Sequence, residues 1–235
     1  MNTKYEILIK KSDFEILKVR ESTHNFPVHI HKRICTGKID AGEKFLVTNN
    51  KVHILKNGDF FFIPPYMPHS CYVEKGGSVS YTILSADDIR KISKETICND
   101  EINSFIDIKN ISLIYEYGLK MLDNYSYSES LTGKLMAYID EHSADQLSLE
   151  LLARIVNLNP YYLVHKFKET TGLTPHQYII QARIRNLKKR FVSDKEILNS
   201  ALDCGFYDQS HFIRHFKKHV GITPKNYFNS IVYVR

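Results

Sequence analysis

The sequence predicts an α+β chain, with a small antiparallel β domain first and an all-α domain holding two helix-turn-helix units after it. Three observations carry that prediction. Short runs of β character, broken by turns, fill the first third of the chain. A twelve-residue segment recurs at an offset of 49 in the last third. The net positive charge is confined to the second part: Met1 to Ser130 holds 17 Lys+Arg against 17 Asp+Glu, and Leu131 to Arg235 holds 15 against 9, the whole of the net +6. A neutral half joined to a basic half suggests that only the second meets a polyanion.

Composition sets the frame. The 235 residues allow two ordinary domains, and 43% hydrophobic with 25% charged residues is a globular balance. No window approaches the roughly eighteen apolar residues of a membrane span, and Met1 to Lys11 has no signal-peptide core. The expectation is a cytoplasmic protein with no membrane partner. Four cysteines (Cys35, Cys71, Cys98, Cys204) lie far apart without a C-x-x-C pair and read as reduced structural thiols.

In the β part, Phe45 to Thr48 and Val52 to Leu55 flank Asn49-Asn50-Lys51, a hairpin-like turn. Asn57-Gly58-Asp59 turns the chain into Phe60 to Ile63, a buried-strand run stopped by Pro64-Pro65. Ser78 to Ile83 alternates apolar and polar residues. Several such strands suggest a small sandwich or barrel. After Ser85 the apolar residues Ile102, Phe105, Ile106, Ile111, Ile114, Leu119 and Leu122 take helical spacing, broken in phase near Lys109-Asn110. They predict two short helices that pair subunits or close the first domain. The Ser-, Tyr- and Asn-rich stretch 123–130 reads as a linker. The expected limits are a β domain at 1–90, a helical dimerisation or linker segment at 91–130, and a helical domain at 131–235.

From Leu131 on, the pattern is helical. Leu131, Leu135, Tyr138, Ile139 and His142 share a face, as do Leu149, Leu152, Ala153 and Val156 behind Ser148 as N-cap. Ile180, Ile184, Leu187 and Phe191 form the stripe of a long central helix whose other face carries Arg185, Lys188, Lys189 and Arg190. The repeat is more specific. Phe167 to Tyr178 matches Phe216 to Tyr227 at six of twelve positions, as F-K-x-x-x-G-x-T-P-x-x-Y. Gly172 and Gly221 suit the left-handed end of a helix, and each following Thr-Pro suits the cap and first position of the next.

Upstream of each copy lie a short helix, a turn and a second helix. Asn157 can take a left-handed conformation in the first turn, with Asn159 capping a helix at Pro160. In the second, a helix from Ile197 to Cys204 ends at Gly205, and Asp208 caps the next. This is the geometry that sets a second helix into the major groove. With Leu163 and Phe167 inward, Tyr161, Val164, His165 and Lys168 face out. Shifted by 49, Phe212 and Phe216 are core and Ser210, Ile213, Arg214 and Lys217 face out, with Gln209 at the tip. Base contacts are therefore expected from Tyr161, Val164, His165, Gln209, Ser210, Ile213 and Arg214, since arginine suits guanine edges, glutamine adenine, and an aliphatic group the thymine methyl. Lys168, Lys188, Lys189, Lys217 and Lys218 are expected on phosphates.

Residues Gly205 to Lys217 and Gly221 to Tyr227 resemble the signature of the AraC family of bacterial transcription regulators, and the resemblance extends over about Leu131 to Tyr227. It implies two helix-turn-helix units joined by the long central helix, on adjacent turns of promoter DNA. The chain departs from the family pattern at Ser200, Leu187 and Arg190, where isoleucine, alanine and leucine are usual. Phe26 to His31 and Gly58 to His69, as H-x-H and G-D-x4-P-x4-H, resemble the cupin-like sensor domain often fused to such halves.

That resemblance implies an effector pocket with His29, His31, Tyr66 and His69. His29 and His31 fall on one strand face and His69 could converge with them, a set that would suit zinc, iron or nickel. The enzymatic cupin pattern adds a glutamate shortly after the second histidine, and Lys32-Arg33-Ile34-Cys35 stands there instead. No metal, cofactor or catalytic residue is therefore expected. The reading is a sequence-specific regulator of transcription that responds to a small molecule. Its expected partners are double-stranded promoter DNA, an effector of unidentified chemistry, RNA polymerase and a second copy of the chain. A cupin metalloenzyme with an accessory DNA-binding domain, and a constitutive regulator whose β domain only dimerises, are the competing readings.

Overall fold

The computed structural model describes residues 4–10, 13–48, 51–87, 130–190 and 197–230. The helices expected within 91–130 and the linker lie, but for Ser130, outside the described residues, as do Asn49, Asn50 and Phe191.

The β half is built from β1 (Lys4–Lys10), β2 (Phe14–Ser22), β3 (Phe26–His29), β4 (Ile34–Thr48), β5 (Lys51–Lys56), β6 (Phe60–Ile63), β7 (His69–Tyr72) and β8 (Val79–Ala86). All pairings are antiparallel, in the order β1-β2-β8-β4-β7-β3, with β5 and β6 also on β4. The 15-residue β4 organises the half. Its first part pairs with β6 and β8 and its second with β5 and β7. Its register with β8 slips between Ile39 and Ala41, a bulge that bends the strand and curls the sheet into a half-barrel. Val19, Ile39, Val79 and Tyr81 share one buried cluster, whereas Ile16 and Leu84, directly paired between β2 and β8, face the opposite side of the sheet; all six are all but inaccessible to solvent.

The helical half contains α1 (Leu131–Glu141), α2 (Leu149–Ile155), α3 (Pro160–Thr171), α4 (Pro175–Arg190), α5 (Ile197–Asp203), α6 (Gln209–Val220) and α7 (Pro224–Asn229). Side-chain caps set the starts. The oxygens of Ser148, Asn159, Asp208 and Thr223 accept from the backbone N–H three residues on. Thr174 and Gln177 cap α4 reciprocally, as a capping box. The turn of the first unit places Asn157 at φ 54° and that of the second places Gly205 at φ 88°. Both need the left-handed region, which asparagine tolerates and glycine enters freely. Phe167 and Phe216, equivalent in the repeat, are both buried, but in separate clusters, with Leu163 beside the first and Phe212 beside the second. Leu187 and Ser200, two of the departures from the family pattern, are buried within the helical half.

The two halves share an interior. Ile30 of the β half is buried in the cluster of Leu135, Met136 and Ile139, and Leu17 packs on the cluster of Ile184 and Phe216. Gln181 on α4 clamps the chain around His29: its Oε1 accepts from the N–H of Ile30 (3.2 Å) and its Nε2 donates to the carbonyl of Val28 (3.1 Å). Asp140 on α1 takes Arg185 at 2.6 Å, Lys32 of the β half at 3.2 Å and the hydroxyl of Tyr178 at 2.9 Å. Glu15 on β2 accepts from the hydroxyl of Tyr227 at 3.0 Å and pairs with Lys188 at 3.4 Å. Arg185 and Lys188 were expected on the open face of the central helix. They turn inward instead, because the β half covers that face and supplies or adjoins the carboxylates they pair with.

Removing Asp140 leaves Arg185 buried with its counter-charge gone. Asp140→Ala should therefore lower the unfolding free energy by about 3–5 kcal/mol in urea titrations. A loss near zero would show that water already screens the pair.

Candidate functional site

A cavity of about 210 Å³ lies between the halves. Leu17, Phe26, Leu46, Phe61 and Ile63 give it an apolar wall, and Gln181, Ile184, Arg185 and Lys188 of α4 close the other side. Its charges are unequal in their partnering. Lys188 has Glu15 and Arg185 has Asp140. Lys44 is 5% exposed, its ammonium lies 3.8 Å from the centre of the Tyr81 ring and 5.3 Å from that of Phe26, and no carboxylate meets it among the described residues. Burial pulls its pKa down from the ordinary lysine value. A buried cation facing an apolar cavity calls for an anionic group from outside the chain.

The histidines converge. His29 and His69 are directly opposed in the β3–β7 pairing, which places both rings on one face of the sheet. His31 follows β3, and the three ring centres stand 4.1, 4.9 and 4.9 Å apart. Nδ1 of His29 lies 2.7 Å from the carbonyl of Pro27, and Nδ1 of His69 lies 2.9 Å from that of Met67. A carbonyl accepts only, so both Nδ1 atoms carry the proton and both Nε2 atoms keep a lone pair. Burial lowers all three pKa values, that of His29 to about 4, so the rings are neutral. Tyr66, expected with them, does not line the cavity. Its N–H donates to the carbonyl of His31 at 2.7 Å with φ at 64°, and its ring packs on the helical core.

On the reading helices, Tyr161 (76% exposed), His165 and Lys168 of α3 are open to solvent, and Val164 is half-buried. On α6, Gln209, Ser210, Arg214, Lys217 and Lys218 are exposed, whereas Ile213 is half-buried against the helical core. Lys189 of α4 is exposed. The end of α6 touches the β half, where Nε2 of His24 lies 3.0 Å from the carbonyl of Lys218. His219 beside it lines the cavity. Sequence reasoning did not find Lys44, Gln181, Asp140 or Tyr207. Lys44 shares strand parity with the buried Leu46, which is a readable signal of an inward lysine. Tyr207, 90% exposed just before the Asp208 cap, stands out only once α6 is in place.

A cavity between the halves and two helix-turn-helix units in the second of them define a ligand-responsive DNA-binding regulator. Known proteins agree. A model of the AraC-like ligand-binding domain matches residues 11–89, and a helix-turn-helix domain model matches 152–230. The transcriptional regulator YbfI of Bacillus subtilis is 24% identical over 84% of this chain and 85% of its own. The transcriptional activator RhaS of Enterobacter sp. is 29% identical over 45% of this chain and 38% of its own length. ToxT of Vibrio cholerae has the same fold, with a TM-score of 0.63 at 15% identity over 95% of this chain and all of that one. A structure of ToxT holding an unsaturated fatty acid gives a TM-score of 0.61 at 14% identity over 95% of this chain and 97% of that one. The chain belongs to the AraC family of transcriptional regulators. Among the described residues no helix is long and apolar enough to cross a membrane.

The histidines make a pH prediction. His29 and His219 are held near pKa 4 chiefly by burial, against an ordinary value of 6.5 when unfolded. Below about pH 6.5 the unfolded chain takes up protons that the folded one resists, so stability is complete above that pH and declines toward pH 4. The thermal midpoint should be level above about pH 7 and fall steadily from about 6.5 to 4. A level midpoint down to about 4.5 would mean that both rings are solvated.

Proposed function

We propose that the chain is a regulator whose effector is a small anionic molecule with an apolar body, held in the cavity between the halves, with Lys44 as its counter-charge. The observation that carries this reading is Lys44, a buried ammonium without a carboxylate partner among the described residues, facing an apolar chamber. The fatty acid on ToxT has the same chemistry, a carboxylate on a hydrocarbon chain. Effector here touches both halves at once, so its binding energy depends on how they are docked and can bias the DNA-binding state. Oleate, titrated into the protein on fluorescent promoter DNA, should change DNA affinity and raise the thermal midpoint. Lys44→Met should abolish both responses and leave DNA binding without oleate intact. A neutral sugar that acts equally on wild type and Lys44→Met would overturn the anionic reading.

The DNA side follows from the two outward sets. Tyr161, Val164 and His165 read one half-site and Gln209, Ser210, Arg214 and the partly sheltered Ile213 read the other, with Lys168, Lys189, Lys217 and Lys218 on phosphates. Lys188 leaves that set because Glu15 holds it. The unit limits are 1–90 for sensing and 131–235 for DNA, with 91–130 pairing two copies and RNA polymerase as the downstream partner. As the activator name of the RhaS relatives suggests, the chain turns transcription on. Arg214→Ala should cost about 1–3 kcal/mol on the specific site and relax preference at one base pair. Lys217→Ala should weaken specific and nonspecific DNA alike. Equal losses on both DNAs for Arg214→Ala would move that residue to the phosphate set.

A further inference from the structure

Both reading helices end against the same short stretch of the β half. In α6 the carbonyl of Lys218 is among the last four, which a helix cannot pair within its own ladder. Nε2 of His24 stands 3.0 Å from it. A carbonyl only accepts, so Nε2 carries the proton and the β half caps α6 from outside. At the end of α3, Gly172 takes a left-handed φ of 69° and its N–H closes on the carbonyl of Lys168. A Cβ there would lie 3.2 Å from Cγ1 of Val28 and 3.9 Å from Cβ of Pro68, so that end too is seated on the β half. His24 and Val28 are joined by at most about 14 Å of chain.

This strap is held firmly on its other side. Phe26 pairs with Cys71 and His29 with His69 between β3 and β7, and Oδ1 of Asn25 accepts from the N–H of Val73 at 2.9 Å. The ring of Phe26 stands edge-on to that of His24, 4.5 Å away. Nε2 of Gln181 on α4 donates to the carbonyl of Val28 at 3.1 Å. Helix α4 is one connection between the two units, and the strap is a second that joins their reading helices directly. It grips the C-terminal ends, and Tyr161 and Gln209, at the opposite ends, stay exposed.

We infer that His24 and Val28 are positioning residues for DNA recognition: the segment 24–28 fixes the separation of α3 and α6, and with it the half-site spacing that the protein accepts. The inference rests on the reading that each of those helices takes one half-site. One base pair shifts a half-site by about 3.4 Å along the duplex and by about a tenth of a turn around it. A hydrogen bond does not stretch that far. DNA with the wrong spacing must therefore break the strap or leave one helix off its half-site.

The full chain first selects its site from a pool of random-sequence duplexes. The selected duplex is then rebuilt with one base pair inserted or removed between the half-sites, and affinities are read by fluorescence anisotropy. Wild type should bind both altered duplexes more weakly. In His24→Ala that penalty should shrink by roughly 2- to 10-fold, the size expected for one hydrogen bond, with affinity for the selected spacing within about twofold of wild type. His24→Gln, whose amide can donate to the same carbonyl, should restore the penalty. Val28→Ala, at a position 36% exposed, should relax the spacing in the same direction and keeps the test open if His24→Ala fails to fold. A loss of equal factor at every spacing would make His24 merely structural and overturn the inference, as would an unchanged penalty in both His24→Ala and Val28→Ala. Tighter binding of His24→Ala at every spacing would show that the strap holds the helices off DNA, and would overturn it as well. A wild type indifferent to spacing would instead defeat the two-half-site reading itself, and this inference with it.

Discussion

Helix α4 has to satisfy opposite demands along its length. Ile180, Ile184 and Leu187 must be dry for the second unit to have a core, and Tyr178, Ile179 and Ala182 must be dry for the first. Arg185 and Lys188 leave the same helix and cannot remain in that interior without counter-charge. Asp140 answers Arg185 from within the helical half, and Glu15 answers Lys188 from the β half. The polar clamp of Gln181 completes the attachment. The helix that spaces the two DNA-reading units is thus also the wall on which the sensor half rests.

That one constraint has functional consequences. The cavity exists because the charged and polar face of α4 does not fill the concavity of the half-barrel, and Lys44 and three histidines are left facing the gap. Anything bound there touches β3, β4 and α4 together. The contact continues to the reading helices themselves. Val28 approaches Gly172 at the end of α3, and His24 meets the last turn of α6. A ligand that alters the seating of β3 therefore acts on residues one or two turns from the outward sets, without any long relay through the protein.

Much of this was legible in the sequence, and the reasons are local. The repeat fixed α3, α6 and their Thr-Pro successors, because glycine, asparagine and cap residues act through their immediate neighbours. Phe60 to Ile63 and Ser78 to Ile83 announced β6 and β8 by run and alternation. By contrast β2 carries Glu15, Lys18 and Arg20 among its apolar residues, and β3 and β7 are four residues each, too short for a period to show. The convergence of His29, His31 and His69 was foreseen from the motif, but not the carbonyls that orient two of the rings. The inward turn of Lys188 and the redirection of Tyr66 could not be read at all. Both depend on which surface the other half presents, and an amphipathic helix looks the same in sequence whether its polar face meets water or a carboxylate.

The central claim is that the two halves are one coupled body through the face of α4. Differential scanning calorimetry of the full chain, compared with the fragment 131–235, tests it most directly. A single cooperative transition, at a higher temperature than that of the fragment, is the predicted result. Two separable transitions, one of them coinciding with the fragment's, would show that the halves unfold independently and that the interface carries no coupling.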